Sequence, residues 1–374
     1  MTRAVFEVAT IADAIKSAER VAPSKGAAFD KSAGILIELD PAQGTVVVRA
    51  TDTEIYHMAW IDTVELEGVP VTWRVPADLF SGVMSSLPIG SGKQVELTDT
   101  INGHARALHL NSNRTKCKFM LMDHSYYPEW GAFDPDNLFP ARDLGGRISQ
   151  VEWAAAKTEI PINGVHLDGE WAVCTDRYRA ARVPLLIPDL VNPVTIPSGI
   201  LGQILKQTGE VQIGVDGETF MIMPDEHTQI RSVIYANKYP NVKRIMKTDY
   251  PFFVKTKKTE LLDVINRALN FQGNNRTPTI RVFFGNEEIA CMMSDAERGL
   301  IGDVVEVPGQ CVHDRFEVKF TPRNLVDAVS SSPNEEVVIG YDTDRSTGIV
   351  HVSGGSGYDA WVMPRMDLGE KDGV

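Results

Sequence analysis

A period of about 120 residues runs through this chain and limits its fold more than any single motif does. Three helices open at a proline after an extended residue: Val75-Pro76-Ala77-Asp78-Leu79-Phe80, Ile196-Pro197-Ser198-Gly199-Ile200-Leu201 and Thr321-Pro322-Arg323-Asn324-Leu325-Val326. Proline suits the first helical turn because its missing N–H is not needed there. The prolines stand 121 and 125 residues apart. Apolar residues follow each at +3, +4 and +7: Leu79, Phe80, Val83; Ile200, Leu201, Ile204; Leu325, Val326, Val329. That spacing predicts one buried helical face in each copy.

A second marker keeps nearly the same period. Thr51-Asp52, Thr175-Asp176 and Ser294-Asp295 each follow an apolar, strand-like run, and their aspartates are 124 and 119 residues apart. A hydroxyl residue followed by Asp is turn chemistry, since both side chains bond nearby backbone N–H groups. Three equivalent copies make a shared structural turn the better reading than three catalytic carboxylates.

Each copy also begins with an earlier helix. Thr10-Ile11-Ala12-Asp13 resembles a capping box, with Ile11, Ala14, Ile15, Ala18 and Val21 as the apolar stripe. Ser149–Ile160 is a weaker counterpart. Thr259–Phe271 is a clear one, with Leu261, Leu262, Ile265, Ala268 and Leu269 on one face. Alternating runs such as GILIELD, KQVELTD, ARALHLN, EVQIGVD and TIRVFFG fill the intervals and predict strands. The sum is an α+β chain of three repeats, two helices per repeat on one side of antiparallel sheets. The expected domains are 1–135, 136–252 and 253–374, with junctions near Asp134–Ile148 and Tyr250–Thr256.

Composition excludes several classes. No window approaches the roughly 18 apolar residues a membrane-spanning helix needs, and the N-terminus lacks a signal-peptide pattern. A soluble cytoplasmic protein without membrane partners is expected. Cys117, Cys174, Cys291 and Cys311 are scattered and the eight histidines never cluster at ligand spacing, so no metal site and no cofactor is expected. Walker A, GxGxxG, HExxH and GxSxG motifs are absent. The six tryptophans sit mainly in strand-like runs and read as core. The chain is expected not to be an enzyme; a hydrolase built on the repeated aspartates would lose its activity in Asp176→Asn.

The net charge of −13 speaks against a nucleic-acid partner if the charge is spread evenly. It is not. The six helix windows together carry +4, which leaves −17 for the rest. A mildly basic helix side beside an acidic exterior can hold a polyanion loosely.

Order and spacing of ATDTEI (50–55), ING…CTDRYR (162–179), KYPNVKRI (238–245) and WVMPRM (361–366) then give a family. Over residues 5–366 the chain resembles the bacterial DNA polymerase III beta subunits, the beta sliding clamps. The resemblance implies three DNA-clamp domains per chain and a head-to-tail homodimeric ring that encircles duplex DNA without reading sequence. It also implies docking of a replicative polymerase and a clamp loader through short linear motifs. Carried over by position, the peptide groove uses Ile162, Thr175, Arg177, Tyr178, Arg179 and Ala180, then Pro240, Arg244 and Ile245, then Val362, Met363, Pro364, Arg365 and Met366. Lys25 and Lys157 are the first candidates for DNA contact, with Lys257, Lys258 and Arg267 behind them. Cys117 and Phe119, on an expected edge strand, and Asn270 and Phe271 are candidates for the subunit interface.

The chain departs from the family where Gly-His-Arg-Leu usually follows Thr-Asp: here stand Arg177, Tyr178, Arg179 and Ala180. It also has Ser198-Gly199 where basic residues are common, and an acidic tail after Met366. Such divergence fits a clamp carried by a phage or mobile element. The alternative is a phage structural or scaffold protein built of repeated α+β units without a DNA role.

Overall fold

The computed structural model describes the chain except residues 24–31, 103–104, 130, 132, 186, 273–277, 286, 296–298, 309, 311–315, 344–347 and 366–374. Among the described residues there are six α-helices: α1 (Val8–Glu19), α2 (Ala77–Ser86), α3 (Leu144–Ser149), α4 (Ser198–Ile204), α5 (Lys258–Leu269) and α6 (Pro322–Ser330). The fold class is α+β, with every strand pairing antiparallel. No helix among the described residues is long and apolar enough to cross a membrane.

The chain divides into two compact units, Met1–Arg142 with Glu210–Ile234, and Asp143–Gly209 with Tyr235–Val374. The first holds α1, α2 and two sheets. One sheet has five strands in the order Glu65–Glu67, Arg3–Glu7, Gln94–Asn102, Ala105–Ser112, Thr115–Met120. The other has eight, and its middle seam pairs Thr228–Val233 with Ile55–Trp60, Ile230 opposite His57. Four strands from residues 35–75 and four from residues 138–233 thus make one continuous sheet.

The second unit holds α3 to α6 and repeats the plan. Its eight-stranded sheet joins four strands from residues 165–196 to four from residues 252–362, along a seam where Ala180 lies opposite Trp361. Its other sheet has four strands, in the order Gly299–Glu306, Glu288–Asp295, Ile280–Gly285, Phe316–Phe320. Each seam joins a strand of the expected middle repeat to one of a neighbouring repeat, so half of the middle repeat completes each long sheet.

Helix faces follow the predicted spacing with corrections. In α1, Ile11, Ala14, Ile15 and Ala18 are buried as expected, but the helix starts two residues before Thr10. No side chain caps it, so the capping box does not form; Thr10 lies inside the first turn. Pro76 and Pro197 take the N-cap position and Pro322 the first helical position. Leu79 is exposed, and Met84 takes its place beside Phe80 in the core. The helix expected over 149–160 ends at Ser149 and begins earlier, at Leu144. A single 3-10 turn, Glu152–Ala154, follows it. Gly145, in the first turn of this earlier helix, allows it a close approach. A Cβ on Gly145 would lie 2.4 Å from the Gln207 carbonyl oxygen, so α3 packs against the end of α4 at backbone contact.

Candidate functional site: a turn, a strap and a strand end

The Thr-Asp turns are built alike, atom for atom. At 51–55, the Thr51 hydroxyl donates to the Ile55 carbonyl at 2.7 Å and accepts from the Thr53 N–H at 2.9 Å. Asp52 Oδ1 accepts from the N–H groups of Glu54 and Ile55. At 175–179, the Thr175 hydroxyl donates to the Arg179 carbonyl at 2.8 Å and accepts from the Arg177 N–H at 3.1 Å. Asp176 Oδ1 accepts from the N–H groups of Tyr178 and Arg179 at 2.9 and 3.0 Å. Both turns place a non-glycine residue in the left-handed region, Thr53 at φ 82° and Arg177 at φ 75°. In the third copy Ser294 pairs with Leu300 and Asp295 with Gly299, so the two residues end a strand before a hairpin; the residues that close it lie outside the described set. The two aspartates whose side chains are described spend an oxygen on backbone donors, which is a structural task rather than acid–base chemistry.

What the second turn carries is particular to it. Arg179, nearly buried, donates from Nε to Asp176 at 2.9 Å and from Nη1 to Asp327 on α6 at 2.7 Å. Its guanidinium also lies over the Trp153 ring, 5.2 Å from the centroid. Two carboxylates and an aromatic face lock it in place, so it positions the turn. Arg177 points outward and pairs with Glu159. Tyr178 is 70% exposed, and its carbonyl accepts the Met363 N–H at 2.9 Å, which extends the seam beyond the strand Asp359–Val362.

Beneath the turn lies an apolar cluster of Ile162, Val173, Ala180, Tyr239, Met246 and Trp361, with Ile245 and Val242 packed against it. The segment 238–247 crosses the sheet as a strap. Tyr239 stacks on His166 with ring centroids 4.6 Å apart, and Trp361 Nε1 donates to the Lys247 carbonyl at 2.7 Å. Beside the strap, Arg182 donates to Asp359 Oδ2 from Nε and Nη2, and His351 meets the other oxygen at 2.8 Å. The same guanidinium lies 4.3 Å from the Trp171 ring centroid and 5.2 Å from that of Trp361. Burial works against the Asp359 carboxylate, but the hydrogen bonds from His351 and Arg182 outweigh it and hold its pKa below the usual aspartate range. A pocket of about 550 Å³ opens here, lined among others by Trp171, Val173, Arg182, Tyr239, Val242 and Met246.

The structure therefore brings the three expected groove segments together, in two depths. Ile162, Thr175, Ala180 and Val362 are buried and shape the site from below. Arg177, Tyr178, Pro240 and Arg244 are exposed, while Ile245, Met363, Pro364 and Arg365 are half-buried at its wall. Met366 lies outside the described residues. Arg365 is held by its N–H to the Lys319 carbonyl and by Nη1 to the Pro278 carbonyl. Sequence reasoning missed Val173, Tyr239, Met246 and Trp361, which complete the floor, and Trp153 and Asp327, which fix Arg179. The first four are tertiary neighbours with no local spacing to mark them; only Tyr239 in KYPNVKRI and Trp361 in WVMPRM, aromatics within quoted motifs, offered a signal.

The remaining candidates separate. Lys25 lies outside the described residues. Lys157 is exposed in the bend after the 3-10 turn, not on a helix as expected. Lys257 pairs with Glu260 at 2.8 Å, Lys258 donates to the Ser332 carbonyl at 3.0 Å, and Arg267 pairs with Asp303. Thr115–Met120 is an edge strand, as expected, with Cys117 half-buried. Phe119 is buried, edge-to-face with Phe80 at 5.0 Å, and so belongs to the core of its own sheet. Asn270 caps α5, and Phe271 follows half-buried. Among the described residues no group of acidic, His or Cys side chains converges to hold a metal ion.

No family model matches this sequence, and no curated protein matches it. Solved structures do. The DNA polymerase III beta subunit of Thermotoga maritima superposes with a TM-score of 0.85 at 20% identity, over 98% of this chain and 100% of that one. The DNA polymerase III beta chain of Streptococcus pneumoniae gives 0.86 at 17% identity, over 98% and 100%. The DNA polymerase sliding clamp of Bacillus subtilis gives 0.85 at 17%, over 98% and 99%. Over 98% of its length the chain shares the three-domain sliding-clamp fold of these proteins.

Proposed function

We propose that this chain, which has the sliding-clamp fold, acts as a non-enzymatic processivity clamp: a homodimeric ring around duplex DNA that tethers a replicative polymerase through the groove at 175–179, 240–245 and 362–366. Three domains, 1–135, 136–252 and 253–374, are the repeats of the ring. One observation carries this reading beyond the fold. Each long sheet is made of two four-stranded halves from neighbouring repeats; among the described residues the five- and four-stranded sheets have no such second half, and their outer strands Thr115–Met120 and Gly299–Glu306 stay open. The edge Thr115–Met120 exposes Lys116, Lys118 and Met120. The edge Gly299–Glu306 exposes Leu300, Val304 and Glu306 and also carries Asp303. A basic edge and an acidic edge, each with exposed apolar side chains, suit each other better than themselves, which favours head-to-tail closure. Cys117, Asn270 and Phe271 are the contacts expected beside that junction.

Encirclement removes the need for tight phosphate binding, so an acidic chain can serve with few basic contacts. Lys157, Lys257, Lys258 and Arg267 are the described candidates, with Lys25 added from sequence. Loading onto nicked circular DNA by a clamp loader, followed by linearisation, tests the topology. Retention on the circle and release from the linear form is expected; loss independent of topology sinks the sliding role. For the groove, a polymerase-derived peptide is expected to bind wild type and to lose about tenfold in affinity against Met363→Ala/Pro364→Ala, as for removal of apolar anchors at an interface centre. Assemblies larger than a dimer with no peptide binding would favour the scaffold alternative.

A further inference from the structure

A second pocket, of about 300 Å³, lies in the first unit, away from the groove. It opens where α1 meets the end of the strand Ile55–Trp60 and the hairpin between Thr219–Asp225 and Thr228–Val233. Asp13, Asp62 and Asp225 line it, together with Trp60 and His57. His57 is fully buried, and neither ring nitrogen has a hydrogen-bond partner among the described residues. Buried polar groups are nearly always satisfied, so one that lines an acidic pocket without a partner points to something that completes it. Burial pushes the His57 pKa down to about 4, despite the nearby Asp225 carboxylate and with the Arg20 charge acting in the same sense as burial. The ring is neutral near pH 7, and one of its nitrogens is an acceptor.

An acceptor among three carboxylates calls for a cation that donates N–H or O–H. A directly coordinated metal ion does not fit, because among the described residues these side chains do not converge at ligand distance. The charges are spread instead along walls that include Ala14, Ala59 and Ile61. Spaced carboxylates separated by apolar surface match ammonium groups separated by methylenes, and the Trp60 ring adds a face to which an ammonium is attracted. We propose that this pocket binds an aliphatic polyamine, with His57 accepting from one ammonium and Asp13, Asp62 and Asp225 pairing with the others. This site does not depend on the clamp reading: it stands or falls without DNA or a partner.

Calorimetric titration of the full chain with spermidine at neutral pH and low salt tests it. One saturable site is expected. Asp13→Asn/Asp225→Asn should weaken it by about tenfold or more, as should His57→Phe, which keeps the charges and removes the acceptor. The carboxylate pair is exposed and its replacement leaves the core intact, so the test survives if His57→Phe does not fold. Asp136→Asn/Asp189→Asn, of equal charge change elsewhere, should leave binding unchanged. The proposal is overturned by the absence of a saturable site, by equal weakening in that control, or by full displacement of spermidine by equimolar Mg²⁺.

Discussion

Arg177 sits at φ 75° because the Thr-Asp turn demands it: the hydroxyl of Thr175 and the carboxylate of Asp176 fix the backbone on either side. A side chain in that region is strained by roughly 1 kcal/mol or more. Arg177→Gly relieves the strain and removes only an exposed ion pair with Glu159, which is worth little. A gain of up to about 1 kcal/mol in urea unfolding is therefore expected; destabilisation would mean that the arginine contributes more than the turn geometry indicates. His57 gives a pH dependence of its own. Its pKa is about 4 when folded against 6.5 when exposed. Between those values the unfolded chain binds a proton that the native one refuses, so stability falls as pH drops from 6.5 and levels below 4. The loss between pH 7 and 5 should be about 2 kcal/mol from this group. The wild type should lose that much more than His57→Phe over the same interval in amine-free buffer; parallel curves would remove His57 from the account.

At the scale of elements, the legible parts of the fold were those whose cause is local. Thr51-Asp52 and Thr175-Asp176 were readable as turns because the same two side chains bond the same backbone groups in both copies. The proline-opened helices were readable for the same reason, since a missing N–H and a fixed φ act within one turn. What was not legible depended on partners distant in sequence. Trp153-Ala154-Ala155-Ala156 looks helical, yet the helix forms earlier, over Leu144–Ser149, where Gly145 in its first turn lies against the end of α4. Phe119 alternates like an interface residue, but Phe80 of α2 covers it. The groove showed both sides of this: its turn and strand end were visible in short motifs, whereas Val173, Tyr239, Met246 and Trp361 come together only through the strap. The edge strand Thr115–Met120 offers a test at this scale. Reversing its charge with Lys116→Glu/Lys118→Glu should raise the dimer dissociation constant by about tenfold or more, because like charges would then face Asp303 and Glu306. An unchanged dimer in sedimentation equilibrium would separate this strand from the interface.

The molecule as a whole is expected to sediment near twice 41.2 kDa, with a dimer that weakens as salt is raised, since opposed charges at exposed strand edges are screened. A strict monomer at micromolar concentration would contradict the ring. The way the long sheets are assembled also bears on how the protein is made. Ile55–Trp60 is an interior strand of the finished sheet, but its neighbour Thr228–Val233 is encoded about 170 codons later. At roughly 5–20 residues per second, a ribosome leaves that strand without its partner for about 10–30 s. The same delay recurs at the second seam, where Arg179–Pro184 waits for Asp359–Val362 at the far end of the chain. Each nascent chain thus carries open β edges through most of its own synthesis. Slow elongation or crowded polysomes should therefore limit the yield of soluble protein well before the stability of the folded molecule does.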